Sequence, residues 1–288
     1  MQTIDKLLYM YLFIVKFMKP IQFDMKKQLA IIVLFLLTIS CSTSDSETAS
    51  TSDTDNILIR KLISTSSSGT GGSNTYTTTY SYNGKKLVTA TSDDFEFRVF
   101  YSGNLITSIK DYFLGTLQGT AIYQYDSSNR LMSWTEYVDA PDTRINRQME
   151  FQYNSDGTIT ANGRIFDIGQ NELAPIQTSK YFLNANDEIE RVEIFYPNGT
   201  QVANYTYDSK YHMFKNVTGF KAINLVSIAG FKSNITSITY SGYDPGYNDL
   251  SAQSRTYTYN ADAFPVAAAR SFPNDPSMSV MTDQYIYE

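Results

Sequence analysis

The chain has 288 residues, of which 23 are Lys or Arg and 29 are Asp or Glu, so its formal charge is −6. An acidic balance excludes a nucleic-acid partner, because phosphates call for a basic face. A single cysteine excludes an internal disulfide, and a single histidine leaves one residue to serve any Ser-His-Asp, Cys-His or multi-His metal mechanism.

At the amino terminus, Met25-Lys26-Lys27 precedes an apolar run from Leu29 to Ile39, interrupted only by Thr38. The run is too short to span a bilayer and suits a signal peptide. It ends at Leu37-Thr38-Ile39-Ser40-Cys41. This resembles the lipobox of bacterial lipoproteins, in which a small residue precedes a cysteine that is diacylated and becomes the new terminus. Thr38 stands where Leu is commoner. The resemblance implies a membrane partner, reached through a lipid on Cys41. Ser42 after the cysteine implies passage to the outer membrane. Residues 1–24 carry a second apolar stretch, Leu7 to Met18, and are expected to be an over-long gene start, with 25–40 as the leader. Residues 41–56 hold no apolar side chain larger than Ala apart from Cys41 and read as a tether. The chain from Cys41 onward carries a charge of −9.

From residue 57 to 288 the sequence is a repeat. Tyr80-Ser-Tyr82-Asn83, Tyr123-Gln-Tyr125-Asp126, Tyr205-Thr-Tyr207-Asp208 and Tyr257-Thr-Tyr259-Asn260 are its clearest copies; Phe151-Gln-Tyr153-Asn154 and Tyr285-Ile-Tyr287 are weaker ones. Aromatics at i and i+2 lie on one face of a strand, and the Asn or Asp that follows is turn chemistry. A second motif comes after each turn, with apolar residues three apart: Leu87/Ala90, Ile106/Ile109, Leu131/Trp134, Ile189/Val192 and Ile235/Ile238. Strict alternation would put these on opposite faces, so either both faces are covered or a β-bulge shifts the phase. A helix is rejected because the runs are short, β-branched and closed by turns. The spacing predicts eight hairpins, over 57–82, 87–101, 105–125, 131–153, 159–183, 189–207, 235–259 and 266–287. The fifth is the least regular, since Ile159 is followed three on by Asn162. The expected fold is all-β: a long, curled antiparallel meander resembling a half-open barrel, with a closed barrel as the alternative. Residues 208–234 break the rhythm. They are expected to be an inserted loop or short helix that covers apolar surface or binds a ligand.

The Tyr-x-Tyr-Asp-x-x-Asn/Gly-x-Leu pattern, as in Tyr123 to Leu131, resembles the tyrosine–aspartate (YD) repeat of Rhs-type proteins, and more closely the uncharacterised YD-repeat-like lipoproteins of Bacteroidetes. Tyr207 to Asn216 and Tyr257 to Pro265 carry the same resemblance. It implies a fold and an envelope location, and no chemistry.

Candidate sites are few. His212 lies in the insertion. The carboxylates Asp93, Asp94, Glu96, Glu188, Glu190 and Glu193 are scattered; of these, Glu188 and Glu190 would share a strand face, and a hydrolase would need two acids facing across a cleft. Asp244 and Asp249 are candidate calcium ligands without calcium-loop spacing. No metal site and no cofactor are expected. Trp134, Tyr137, Tyr243 and Tyr247 are candidates for stacking on sugar rings, against the alternative of cross-strand aromatic packing. The expected function is a non-enzymatic, lipid-anchored protein of the cell envelope that binds or scaffolds a glycan or protein partner. A glycan-binding surface module is the alternative, and a carboxylate hydrolase the second alternative.

Overall fold

The computed structural model describes residues 54–67, 73–138, 146–166, 172–227, 231–243, 252–274 and 280–288, with the side chains of 172–176 and of Ser227 excepted. The expected leader, Cys41 and the expected tether up to residue 53 lie outside the described residues. So do Asp244, Tyr247 and Asp249.

Sixteen strands form eight hairpins in chain order. They are β1 (Ile59–Ser67), β2 (Ser73–Asn83), β3 (Lys86–Ser92), β4 (Phe95–Ser102), β5 (Leu105–Phe113), β6 (Thr116–Tyr125), β7 (Leu131–Val138) and β8 (Asn146–Tyr153). Then come β9 (Ile159–Phe166), β10 (Glu172–Leu183), β11 (Ile189–Tyr196), β12 (Gly199–Tyr207), β13 (Ile235–Gly242), β14 (Gln253–Tyr259), β15 (Pro265–Ser271) and β16 (Val280–Tyr287). Every strand pairs antiparallel with its sequence neighbour, and β1 pairs with β16, so the sheet is a closed barrel.

Closure corrects the half-open sheet expected from the sequence. An open sheet would leave two edges of unpaired backbone groups, and pairing the ends removes both. The seam is built by residues over two hundred positions apart. Leu58 and Glu288 exchange both backbone hydrogen bonds at 3.1 Å. Arg60 Nε lies 2.6 Å from Glu288 Oε2. Inside the wall, Ser64 Oγ donates to Asp283 Oδ1 at 2.6 Å.

The three-residue spacing is resolved by bulges. Val88, Thr107, Met132, Glu190, Thr236 and Val266 are each skipped in the pairing register, so two residues oppose one and both flanking apolar side chains turn inward. Where the irregular fifth hairpin begins, the β8–β9 pairing runs without this bulge: Ile159 pairs with Tyr153, Ala161 with Phe151, and Asn162 faces out.

The four five-residue turns share one scheme, and it explains the Asn or Asp of the repeat at Asp126, Asn154 and Asn260. In Asp126–Arg130, Asn154–Thr158, Asn184–Glu188 and Asn260–Phe264 the first N–H donates to the fifth carbonyl, and the fourth N–H donates back to the first. The fourth residue takes a positive φ: Asn129 62°, Gly157 81°, Asp187 63° and Ala263 64°. In three of the turns the first side chain also accepts the fifth N–H, as Asn260 Oδ1 does from Phe264 at 2.9 Å.

The repeat tyrosines have distinct tasks. The first of each pair, such as Tyr80, Tyr123, Tyr205, Tyr257 and Tyr285, is buried in the single hydrophobic core inside the barrel. In three pairs the second clamps the base of its own hairpin, and in a fourth Tyr259 donates to the Asp208 carboxylate of the plug. Tyr125 donates its hydroxyl proton to the Ile106 carbonyl (2.6 Å), Tyr153 to Leu131 (3.1 Å) and Tyr207 to Ile189 (2.7 Å).

All the repeat turns, the 208–234 insertion and the Leu58 and Glu288 ends of the barrel wall lie at one end of the barrel, because hairpin strands alternate in direction. The insertion holds a 3-10 turn (Phe220–Ile223) and one short helix, α1 (Asn224–Ser227). Met213, Phe214, Val217, Ile223 and Leu225 are buried in the barrel core, so the segment is a plug. Its backbone and side chains bond to several turns: Thr218 N–H to Lys85 O, Tyr211 N–H to Ala263 O, and Lys221 Nζ to Asp187 Oδ2. Asn216 Nδ2 donates to Thr54 O and Ile57 O, fixing the last residues of the expected tether, where Thr54–Asn56 forms a 3-10 turn.

Candidate functional site

The two faces of the wall differ in chemistry. On β2 the inward residues are Tyr76, Thr78, Tyr80 and Tyr82, and the outward ones Thr75, Thr77, Thr79 and Ser81. β14 turns Arg255, Tyr257 and Tyr259 inward and Ser254, Thr256 and Thr258 outward. Outward apolar residues are interspersed with polar ones, and cations cover several. Arg191 Cζ lies 3.8 Å from the Phe182 ring centre, and Lys110 Nζ lies 5.6 Å from that of Phe100. A barrel that crosses a bilayer has the reverse pattern, an outward apolar band with aromatic girdles and a polar interior. Hydroxyl-rich outer strands suit water.

The interior holds one polar constellation that sequence reasoning missed. Arg255 and Arg270 are cross-strand neighbours, 3% and 4% exposed, with Asp283 diagonal to them at 3%. Arg255 Nη2 donates to Gln253 Oε1 at 2.6 Å, and Arg270 bonds to Met281 Sδ. Burial lowers both guanidinium pKa values, that of Arg270 to about 10 with the Arg255 charge adding to the effect. Burial raises the Asp283 carboxyl, opposed by the Ser64 hydroxyl and both guanidiniums. Tyr80, Tyr257 and Tyr285 border the group, their phenols held well above the ordinary value by burial. Two cations directly across a ladder repel; Asp283 offsets that repulsion, and its bond to Ser64 ties the constellation to the closing seam. Its signal in the sequence was a charge two residues before a repeat tyrosine, at Arg255 and Asp283, where the other copies carry the uncharged Thr78, Ala121, Met149 and Ala203.

The sequence candidates are not brought together. Trp134 turns inward opposite Tyr123, while Tyr137, three residues on, faces outward against Phe166 with ring centres 6.1 Å apart. Tyr243 stacks on Tyr196, ring centres 5.1 Å apart and 28° between planes, at the end opposite the plug. These residues do not share one stacking platform. His212 is 1% exposed in the plug, where its Nδ1 accepts the Phe214 N–H at 3.2 Å. Glu188 is fully buried and accepts the Ser233 N–H at 2.7 Å, whereas Glu190 is the exposed bulge residue; the expected shared face is therefore lost to the bulge. Glu96 and Glu193 point outward and bind Arg98 and Arg191. Asp93 and Asp94 form an exposed turn. Among the described residues no three His, Cys, Asp or Glu side chains are grouped to hold a metal ion.

No family model matches the chain, and no curated protein matches its sequence. Solved structures do match. A porin-like protein from Bacteroides vulgatus aligns over 80% of this chain and 98% of its own, with a TM-score of 0.52 and 14% identity. It shares the fold. A porin-like protein from Bacteroides uniformis aligns over the same shares, with a TM-score of 0.44 and 13% identity.

Proposed function

We propose that this chain is an exported, non-enzymatic barrel that stands in water at the cell envelope, held to the outer membrane by lipid on Cys41. The observation that carries this reading is the sidedness of the wall, aromatic within and hydroxyl-rich without. Such a barrel gains nothing from entering a bilayer, so it needs a separate anchor. The lipobox at Leu37–Cys41 supplies one, and the Bacteroides origin of the porin-like neighbour supports an envelope setting. The resemblance to YD-repeat-like lipoproteins points the same way, with the tyrosine clamp as the physical content of the repeat. Its role is to bind or scaffold a partner on a rigid body.

Labelled palmitate supplied to producing cells is expected to enter the protein and to be lost in Cys41→Ala; label retained in that variant removes the anchor.

A glycan-binding role is the second reading, favoured by the Tyr196–Tyr243 stack at the end opposite the plug.

A further inference from the structure

We infer that the end of the barrel opposite the plug receives the terminus of a saccharide chain, held end-on between the Tyr196–Tyr243 stack and the Arg255–Arg270–Asp283 constellation. This rests on the glycan-binding reading above and names its site.

The stack is built into the wall. Tyr243 N–H donates to Thr200 O at 3.1 Å, which seats the Tyr243 ring against Tyr196. A Cβ on Gly199 would meet Tyr243 Cδ2 at 2.8 Å, and one on Gly242 would run into the Thr200 carbonyl. Two glycines therefore make room for this one ring. Both tyrosines are half-buried, so part of each ring stays accessible.

Polar groups lead inward from the stack. Tyr196 lies on the inner face of β11, in phase with Val192, and Gln201 on that of β12, in phase with Ala203. The Tyr196 hydroxyl donates to Gln201 Oε1 at 3.4 Å. Tyr240, on the inner face of β13, is within electrostatic reach of Arg255. Farther in, Tyr257 stands within such reach of Arg255, and Tyr80 of Asp283. The Tyr257 and Tyr80 hydroxyls have no hydrogen-bond partner among the described residues, although the two residues are only 6% and 5% exposed. A buried hydroxyl in that state is costly, and a ligand that bonds it recovers the loss.

The mixture of groups selects the ligand. Guanidiniums supply only donors, an ionised carboxylate only acceptors, and amide and phenol both. A small anion would meet Asp283, a cation would meet two guanidiniums, and an apolar ligand would strand every polar group. A sugar ring fits. Its vicinal hydroxyls use donors and acceptors together, and its flat apolar face lies on an aromatic plane. The plug decides which part of a chain enters. Sixteen strands enclose more lumen than wall side chains fill, and the plug, with Met213, Phe214 and Val217, occupies it at the far end. A polymer cannot thread the barrel, so only a chain end enters.

The probe is an array of oligosaccharides printed through either end, offered to the chain from Ser42 onward, which contains the whole closed barrel and core. Binding to at least one sugar is expected. For that sugar, soluble oligosaccharides and long polymers are expected to compete equally per chain; competition that is equal per sugar residue means mid-chain binding and overturns the inference. Tyr257→Phe removes a hydroxyl that bonds no described residue, so affinity is expected to fall about five-fold while the melting temperature stays or rises. Affinity and melting temperature falling together would make the hydroxyl structural and overturn the inference too. Tyr243→Ala is expected to weaken binding about ten-fold. Binding weakened in Tyr243→Ala but intact in Tyr257→Phe leaves the glycan reading standing and removes the inward site. No binding to any sugar by the native chain removes both.

Discussion

The tyrosine hydroxyl is the group on which this fold turns. Most repeats place one phenol in a dry interior, and three of them, at Tyr125, Tyr153 and Tyr207, place a second where its proton reaches a carbonyl at the base of the hairpin. Burial raises their pKa values: Tyr101 and Tyr181 to about 12, and Tyr287 well above its ordinary value. A folded chain therefore keeps phenolic protons that an unfolded chain releases near pH 10. The stability tied to these protons is whole below pH 10 and drains as pH rises towards 12, at about 1.4 kcal/mol per pH unit for a buried group such as Tyr181. Alkaline titration is expected to show tyrosinate absorbance appearing late and together with loss of the sheet signal. A smooth titration near pH 10 with the sheet intact would count against a tyrosine-filled interior. The Tyr-x-Tyr spacing made this pattern legible, since i and i+2 share a strand face whatever the surrounding fold. Which of two tyrosines is buried and which bonds a carbonyl was not legible, because it depends on the neighbouring strand.

Hairpins were the element most open to sequence reasoning. The eight units expected from the repeat end within about two residues of the observed strands, because turn residues and aromatic pairs mark each boundary locally. The bulges were legible only as a choice: apolar residues three apart fit a covered outer face as well as a phase shift, and the partner strand decides. The plug was legible as a break in rhythm, but its contacts with distant turns were not. Gly219 shows how closely it fits. Its φ is 86°, and a Cβ there would meet Ile106 Cγ1 at 2.9 Å and Asn104 O at 3.0 Å. Gly219→Ala is expected to cost about 1–2 kcal/mol from the left-handed backbone alone, read as a lower denaturation midpoint with the slope unchanged. An unchanged midpoint would mean that the plug is not seated against the Asn104 turn.

At the scale of the whole molecule, closure and sidedness decide what the barrel can do. Closure was not legible, because pairing of Ile59 with Tyr287 is a contact between the two ends of the repeat domain and leaves no local mark. Sidedness was legible in part, as threonine and serine alternating with tyrosine, but which face is inside follows only from closure. The candidate site fared worst. Trp134 and Tyr137, both candidates for stacking on sugar rings, stand on opposite faces of the wall, while Arg255, Arg270 and Asp283 meet because β14, β15 and β16 pair in order. A closed barrel with a hydroxyl-rich outer face belongs in water, and the chain from Ser42 onward tests this most directly. It is expected to stay in solution without detergent, with a β-sheet circular dichroism spectrum and no partition into lipid vesicles. Recovery only in detergent, or insertion into such vesicles with the sheet intact, would contradict it.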